Sequence, residues 1–71
     1  MNRVRTIREE AGVTQAALRR ALGWNQSRLA NYESGLRLPG LNEAREIVGA
    51  LNSLGVKCDL DDAFPPAKSA A

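Results

Sequence analysis

Between Thr14 and Gly35 the chain carries two short apolar-periodic runs separated by one glycine. Thr14 is a good helix N-cap, and the helix formers Gln15, Ala16, Ala17, Leu18, Arg19, Arg20, Ala21 and Leu22 follow it. Leu18 and Leu22, four apart, share one face of that helix. Gly23 stops the run, because glycine enters the left-handed backbone region at little cost. Asn25 is suited to cap a second helix, in which Leu29 and Tyr32 form the buried face, and Gly35 ends it.

The remaining positions of the second helix hold Gln26, Ser27, Arg28 and Asn31. Their planar or short polar groups donate and accept hydrogen bonds, as readers of base edges in a DNA major groove do. A helix-turn-helix places its second helix there, with the N-terminal residues toward the bases. The stretch resembles the Cro and lambda-repressor-like (XRE) helix-turn-helix family. Its T-Q-x-x-L-x-x-x-L-G opening (Thr14 to Gly23) and its Y-E-x-G close (Tyr32 to Gly35) both stand at the family spacing. With its flanks the resemblance covers residues 3 to about 54. It implies an all-α fold, a compact four- or five-helix lambda-repressor-like DNA-binding domain with the helix-turn-helix at helices 2 and 3.

The expected DNA-binding residues are Gln15, Asn25, Gln26, Ser27, Arg28, Asn31 and Arg37. Gln15 opens the first helix of the unit, where free backbone N–H groups and the helix dipole attract a phosphate. Its match to the family's glutamine implies that it also braces Gln26. Gln26 suits adenine through N6 and N7, and Arg28 suits guanine O6 and N7, or a phosphate if it points outward. Ser27 and Asn31 lie on the same face, Asn25 can touch a phosphate as well as cap, and Arg37 is expected on an exposed loop as a phosphate contact. The family match further implies a partly buried structural ion pair between Arg8 and Glu33, joining helix 1 to helix 3.

The net charge of +2 hides an asymmetry. Residues 1–37 hold seven arginines and three glutamates, whereas residues 38–71 hold Arg45, Lys57 and Lys68 against five carboxylates. The basic half is the half with the helix-turn-helix, as a one-sided phosphate footprint requires. Seventy-one residues make one small domain. No apolar run is long enough for a membrane span, and the N-terminal residues lack a signal peptide's apolar stretch, so a cytoplasmic protein is expected. The lone Cys58 has no internal partner, consistent with a reducing compartment. Without histidine, histidine-based catalysis and most zinc sites are excluded; neither a metal, a cofactor, a small-molecule substrate nor an enzymatic activity is expected.

Helix 1 is expected from Asn2 or Arg3 to Ala11, burying Val4, Ile7 and Ala11, with Val13 tucked into the core beyond Gly12. Arg19 stands where the family usually has a small residue, so its stem must lie along the crossing with its head in water. Trp24 stands where the family has a smaller apolar residue and is expected to cap the core between helices 2 and 3. Pro39 suits the start of helix 4, whose stripe is Leu41, Ala44, Ile47, Val48, Leu51 and Leu54, with Gly55 as the stop. Residues 56–60 alternate like a short strand, yet Asp59 to Phe64 also reads as a capped one-turn helix with Leu60 and Phe64 on the core, and the resemblance favours the helix. The DNA-binding domain is expected to occupy residues 1–64, with residues 65–71 a disordered tail.

Such a domain makes few phosphate contacts alone, and specific binding generally uses two half-sites one helical turn apart. A homodimer on a double-stranded, pseudo-palindromic operator is therefore expected, paired through the end of helix 4 and residues 55–64. The expected function is sequence-specific transcriptional regulation by a repressor most like a small phage or prophage Cro-type protein, a chain this short leaving no second sensing domain. The alternatives are the antitoxin half of a toxin–antitoxin pair, and a protein-interaction module that kept the fold without DNA binding.

Overall fold

The glycine that separates the two central runs closes the first of them by a specific hydrogen-bond pattern. In the computed structural model, which describes residues 2–66, Gly23 has φ 72°. Its N–H donates to the Arg20 carbonyl at 3.2 Å and the Trp24 N–H donates to the Arg19 carbonyl at 3.0 Å. This is a Schellman ending, which turns the residue after the glycine back onto the helix. The same pair of bonds recurs after the first helix, from Gly12 and Val13, and after the fourth, from Gly55 and Val56. In each case an apolar residue follows the glycine: Trp24 and Val56 are buried, and Val13 is half-buried against the same core. One local rule thus ends three helices and sends an anchor inward at each.

Five helices result: α1 (Val4–Glu10), α2 (Gln15–Leu22), α3 (Gln26–Ser34), α4 (Leu41–Ser53) and α5 (Leu60–Ala63). The fold is all-α, and the described residues contain no strand. Two side-chain caps start the central pair. Thr14 Oγ1 accepts the Ala17 N–H at 3.0 Å, and Asn25 Oδ1 accepts the Arg28 N–H at 2.8 Å. α2 packs on both α3 and α4, and α4 packs on α5. Where they meet, Val4, Leu18, Leu29, Ile47 and Leu51 are fully buried. At ~1.5–3 kcal/mol for each large aliphatic side chain, these residues dominate the favourable side of folding.

The segment with two readings resolves as helix. Asp59 and Asp62 form a reciprocal capping box: Asp59 Oδ1 accepts the Asp62 N–H at 2.8 Å, and Asp62 Oδ2 accepts the Asp59 N–H at 3.0 Å. α5 then docks through the fully buried Ala63, whose carbonyl accepts the Arg3 N–H at 2.8 Å, with Leu60 and Phe64 packed beside it.

Three details correct the sequence reading. α1 begins at Val4 and ends at Glu10, because Asn2 stays outside the helix: its Oδ1 accepts the Val4 N–H, while its Nδ2 donates to the Tyr32 carbonyl at 2.7 Å. Ala11 is exposed, and the buried residue opposite α3 is Arg8. Leu41, assigned to the apolar stripe of α4, is 56% exposed because it stands in the first turn, on an open groove it lines with Leu38, Leu60 and Phe64; Leu54 is also exposed at the far end. Pro65 and Pro66 are exposed and irregular, and Ala67 to Ala71, the rest of the expected tail, lie outside the described residues. No helix among the described residues is long and apolar enough to cross a membrane.

Candidate nucleic-acid interface

Arg8 and Glu33 meet in a bidentate pair, Nε to Oε2 at 2.9 Å and Nη2 to Oε1 at 3.0 Å. The third guanidinium nitrogen, Nη1, donates to the Val13 carbonyl at 3.0 Å. Burying two charges costs several kcal/mol per ion, so the pair persists only because geometry and extra bonds satisfy both groups. No buried side-chain polar atom among the described residues lacks a partner.

The pair does not end at α3. Glu33 Oε1 also accepts Gln15 Nε2 at 3.2 Å, and Gln15 Oε1 accepts Gln26 Nε2 at 3.2 Å. A carboxylate only accepts, so it fixes which end of the Gln15 amide faces it. Gln15 must then present its oxygen to Gln26, and Gln26 must answer with its NH₂ group. One hydrogen of that group and the whole Gln26 Oε1 remain free on an exposed side chain. One donor and one acceptor, side by side, match the N7 and N6 edge of adenine. A buried ion pair thereby fixes the amide orientation of a surface residue two bonds away.

The other expected contacts divide by position. Asn25, Ser27 and Arg37 are exposed and Asn31 is half-buried, its carbonyl accepting the Arg37 N–H at 3.1 Å. Asn25 uses its Oδ1 on the cap, leaving its NH₂ outward. At 100° per residue, Ser27 and Asn31 lie within roughly 40° of each other around α3, directly opposite the buried face. Arg28 is the exception. It sits roughly 160° around the axis from Gln26, and its guanidinium carbon lies 4.0 Å from the centroid of the Trp24 ring.

A family model described as a helix-turn-helix domain matches residues 2–63. The chain belongs to the helix-turn-helix family. No curated protein and no solved structure gives a significant match. The match takes in α2 and α3, the two helices of the helix-turn-helix, which pack against each other in a domain of a DNA-binding family.

Two features of this helix-turn-helix were not read from the sequence. One is the Gln15–Glu33 bond, which joins the ion pair to Gln26 on the exposed side of α3; residues eighteen apart give no periodic signal. The other is the Trp24–Arg28 stack, whose only trace in the sequence is an aromatic residue four positions before an arginine across a helix start. Trp24 itself is buried, 5.5 Å from the Tyr32 ring at a 52° tilt, and with Leu29 occupies the two positions of a hydrophobic staple. Arg19 is half-buried at the α2 end, in the position that flanks the residue after a Schellman glycine. Among the described residues no group of three or more histidines, cysteines, aspartates or glutamates is arranged to hold a metal.

Proposed function

We propose that this helix-turn-helix domain is a sequence-specific transcriptional regulator, a repressor of the small Cro type, that binds a pseudo-palindromic operator as a homodimer in the cytoplasm. Its main support is the relay from Arg8 through Glu33 and Gln15 to Gln26, which orients a base-reading amide before DNA arrives. Gln26 takes an adenine, while Ser27 and Asn31 meet neighbouring base edges in the major groove. Gln15, Asn25 and Arg37 contact backbone phosphates and set the register.

The dimer surface lies away from α3, at α5 and the neighbouring loop. Leu38 and Leu41, 85% and 56% exposed, border a groove of about 470 Å³ that Leu60 and Phe64 also line. Large apolar side chains grouped in water on a small domain mark an association surface. Asp61 lines the same groove, and Asp59 and Asp62 flank it in the chain at α5; their charges repel a phosphate backbone, so a second copy of the chain suits the groove better than DNA does. This surface is shifted from the end of α4 toward its first turn, while retaining residues 60–64.

Selection from a pool of random duplexes tests the whole proposal. The expected product is a palindromic motif with half-sites one helical turn, about 10 base pairs, apart, and a sedimentation mass of two chains on each selected duplex. Enrichment of a lone half-site would remove the dimer. No enrichment, or stable co-purification with a different protein and no DNA, would favour the interaction module or the antitoxin.

A further inference from the structure

Arg28 is exposed, yet its guanidinium carbon sits 4.0 Å from the centroid of a ring that is itself buried in the core. Trp24 is 8% exposed and packs against Tyr32, so the indole is a fixed plate beneath it. Among the described residues Arg28 takes no carboxylate partner, and its side chain donates no hydrogen bond. Its position is also wrong for helix stability. It stands in the first turn of α3, where the helix dipole disfavours a cation. The stack therefore holds a charge in place without consuming any of its donors. A guanidinium over a ring face engages its π-system and keeps its N–H groups available for the fork that binds a phosphate bidentately.

We propose that Trp24 and Arg28 form a preassembled phosphate clamp at the rim of the recognition helix. Arg28 binds a DNA backbone phosphate, and Trp24 is the positioning residue that holds its guanidinium. The clamp rests on the DNA-binding reading above and chooses between the two roles the sequence left open for Arg28: it is a backbone anchor and not a guanine reader. Gln26 and its brace Gln15 lie on one flank of α3, and Arg28 lies on the other. With Ser27 and Asn31 between them over the base edges, the outer flank faces the strand that walls the groove. A phosphate there would draw the chain against the duplex from the side opposite Gln15, so the helix is gripped on both edges.

The test uses the full chain and short duplexes of several mixed sequences, with affinity measured across a salt series. Arg28→Ala is expected to weaken binding roughly three- to tenfold on every duplex alike, and to reduce the salt slope by about 0.9, one phosphate's worth. Trp24→Leu is expected to lose about two- to fivefold, with Arg28→Ala costing less in that background than in the wild type. Trp24→Phe, which keeps a ring face, should restore most of the Trp24→Leu loss. Trp24 is the sole tryptophan, so its emission reads the stack directly: Arg28→Ala should alter it in the free protein and remove its response to DNA. If Trp24→Leu fails to fold by circular dichroism, the same cycle is run with Trp24→Phe, whose weaker ring face should still couple to Arg28. An unchanged salt slope for Arg28→Ala, additive losses at the two positions, or a loss confined to certain sequences would overturn the clamp while leaving the DNA-binding proposal standing. A wild-type chain that binds no duplex at low salt would remove that proposal itself.

Discussion

Arg8 and Glu33 join α1 to α3 through a bidentate ion pair whose side chains are 9% and 4% exposed. At the other end, α5 is joined to the body by Ala63, Leu60, Phe64 and one backbone hydrogen bond to Arg3. The first joint is directional, because two planar groups meet in one arrangement. The second is apolar and largely tolerant of small rotations. The directional joint is relayed through Gln15 to Gln26, the amide proposed to read a base edge, and the tolerant one sits where only burial is needed. A second comparison on α1 makes the point about magnitude. Arg5 and Glu9 form a 3.3 Å pair with 70% and 55% exposed side chains, and an exposed pair of this kind contributes ~0–1 kcal/mol. Burial, with full hydrogen bonding, is what makes the Arg8–Glu33 pair a structural joint.

The largest expected effect tests that joint. Glu33→Ala leaves a buried guanidinium unpaired and should cost about 3–5 kcal/mol. Against the roughly 5–15 kcal/mol of a typical domain, with so short a chain near the bottom of that range, much of the protein should then be unfolded. Thermal melts followed by circular dichroism read this; a loss under about 1 kcal/mol would erase the contrast between the two ends. The double substitution Arg8→Met with Glu33→Leu sharpens it. Removing both charges is often nearly neutral for stability, yet Gln15 loses its carboxylate partner. Melting should recover while operator discrimination does not.

Next in size is Gln26→Ala, expected to weaken operator binding by about 1–3 kcal/mol while leaving binding to random DNA nearly intact. Gel-shift titrations on both duplexes separate the two. An equal loss on random DNA would mean that the relay supports a phosphate contact instead of a base contact.

How far these features were legible depends on the range of the interaction that makes them. Thr14, Gly23, Asn25 and Gly35 act within four residues of themselves, so α2, the turn and α3 could be read from spacing alone. The expectation that Trp24 caps the core came instead from its place in the turn, where the resembled family has a smaller apolar residue. Ala11 was misread because a three- and four-residue repeat counts apolar side chains, and α1 buries a charged one, Arg8, in the direction that faces Glu33. Leu41 was misread because periodicity says which face a residue lies on, not whether a neighbour extends far enough to cover it. The strand-like alternation of residues 56–60 lost to the Asp59–Asp62 capping box and to the absence of a strand partner among the described residues. On α3 the exposure of Gln26, Ser27 and Arg28, opposite the buried Leu29 and Tyr32, was legible from helical spacing. The sharing of Glu33 between Arg8 and Gln15, and the stacking of Arg28, arise from residues brought together by packing and leave no local pattern.

A smaller effect is expected at the tolerant end. Asp59→Ala removes one half of the capping box and should cost ~1 kcal/mol, within the usual range for a lost N-cap. Because α5 carries Leu60 and Phe64 into the proposed dimer groove, the same change should weaken self-association more visibly than it lowers the melting temperature. If the loss matched that of Glu33→Ala, α5 would be as strict a joint as the ion pair.

The smallest expected effect concerns Cys58, just before α5. Its thiol is pushed above the ordinary range, first by burial and then by the negative charges of Asp62 and Asp59. The folded protein therefore holds the thiol proton more tightly than the unfolded chain does. The stability this contributes is fully present below the unfolded thiol value and is lost as pH rises through the higher folded value, so a slight fall in melting temperature is expected only in alkaline solution. At neutral pH the same shift lowers the thiolate fraction, and alkylation by iodoacetamide should run slower than for a free thiol and quicken on denaturation. Asp62→Asn removes the larger of the two carboxylate effects along with part of the capping box, and Asp61→Asn is the comparison: it removes a charge next door without touching the bonds to Asp59. Faster alkylation in Asp62→Asn than in Asp61→Asn would show that the acidic turn, and not burial alone, protects the thiol; equal rates would leave burial as the whole cause.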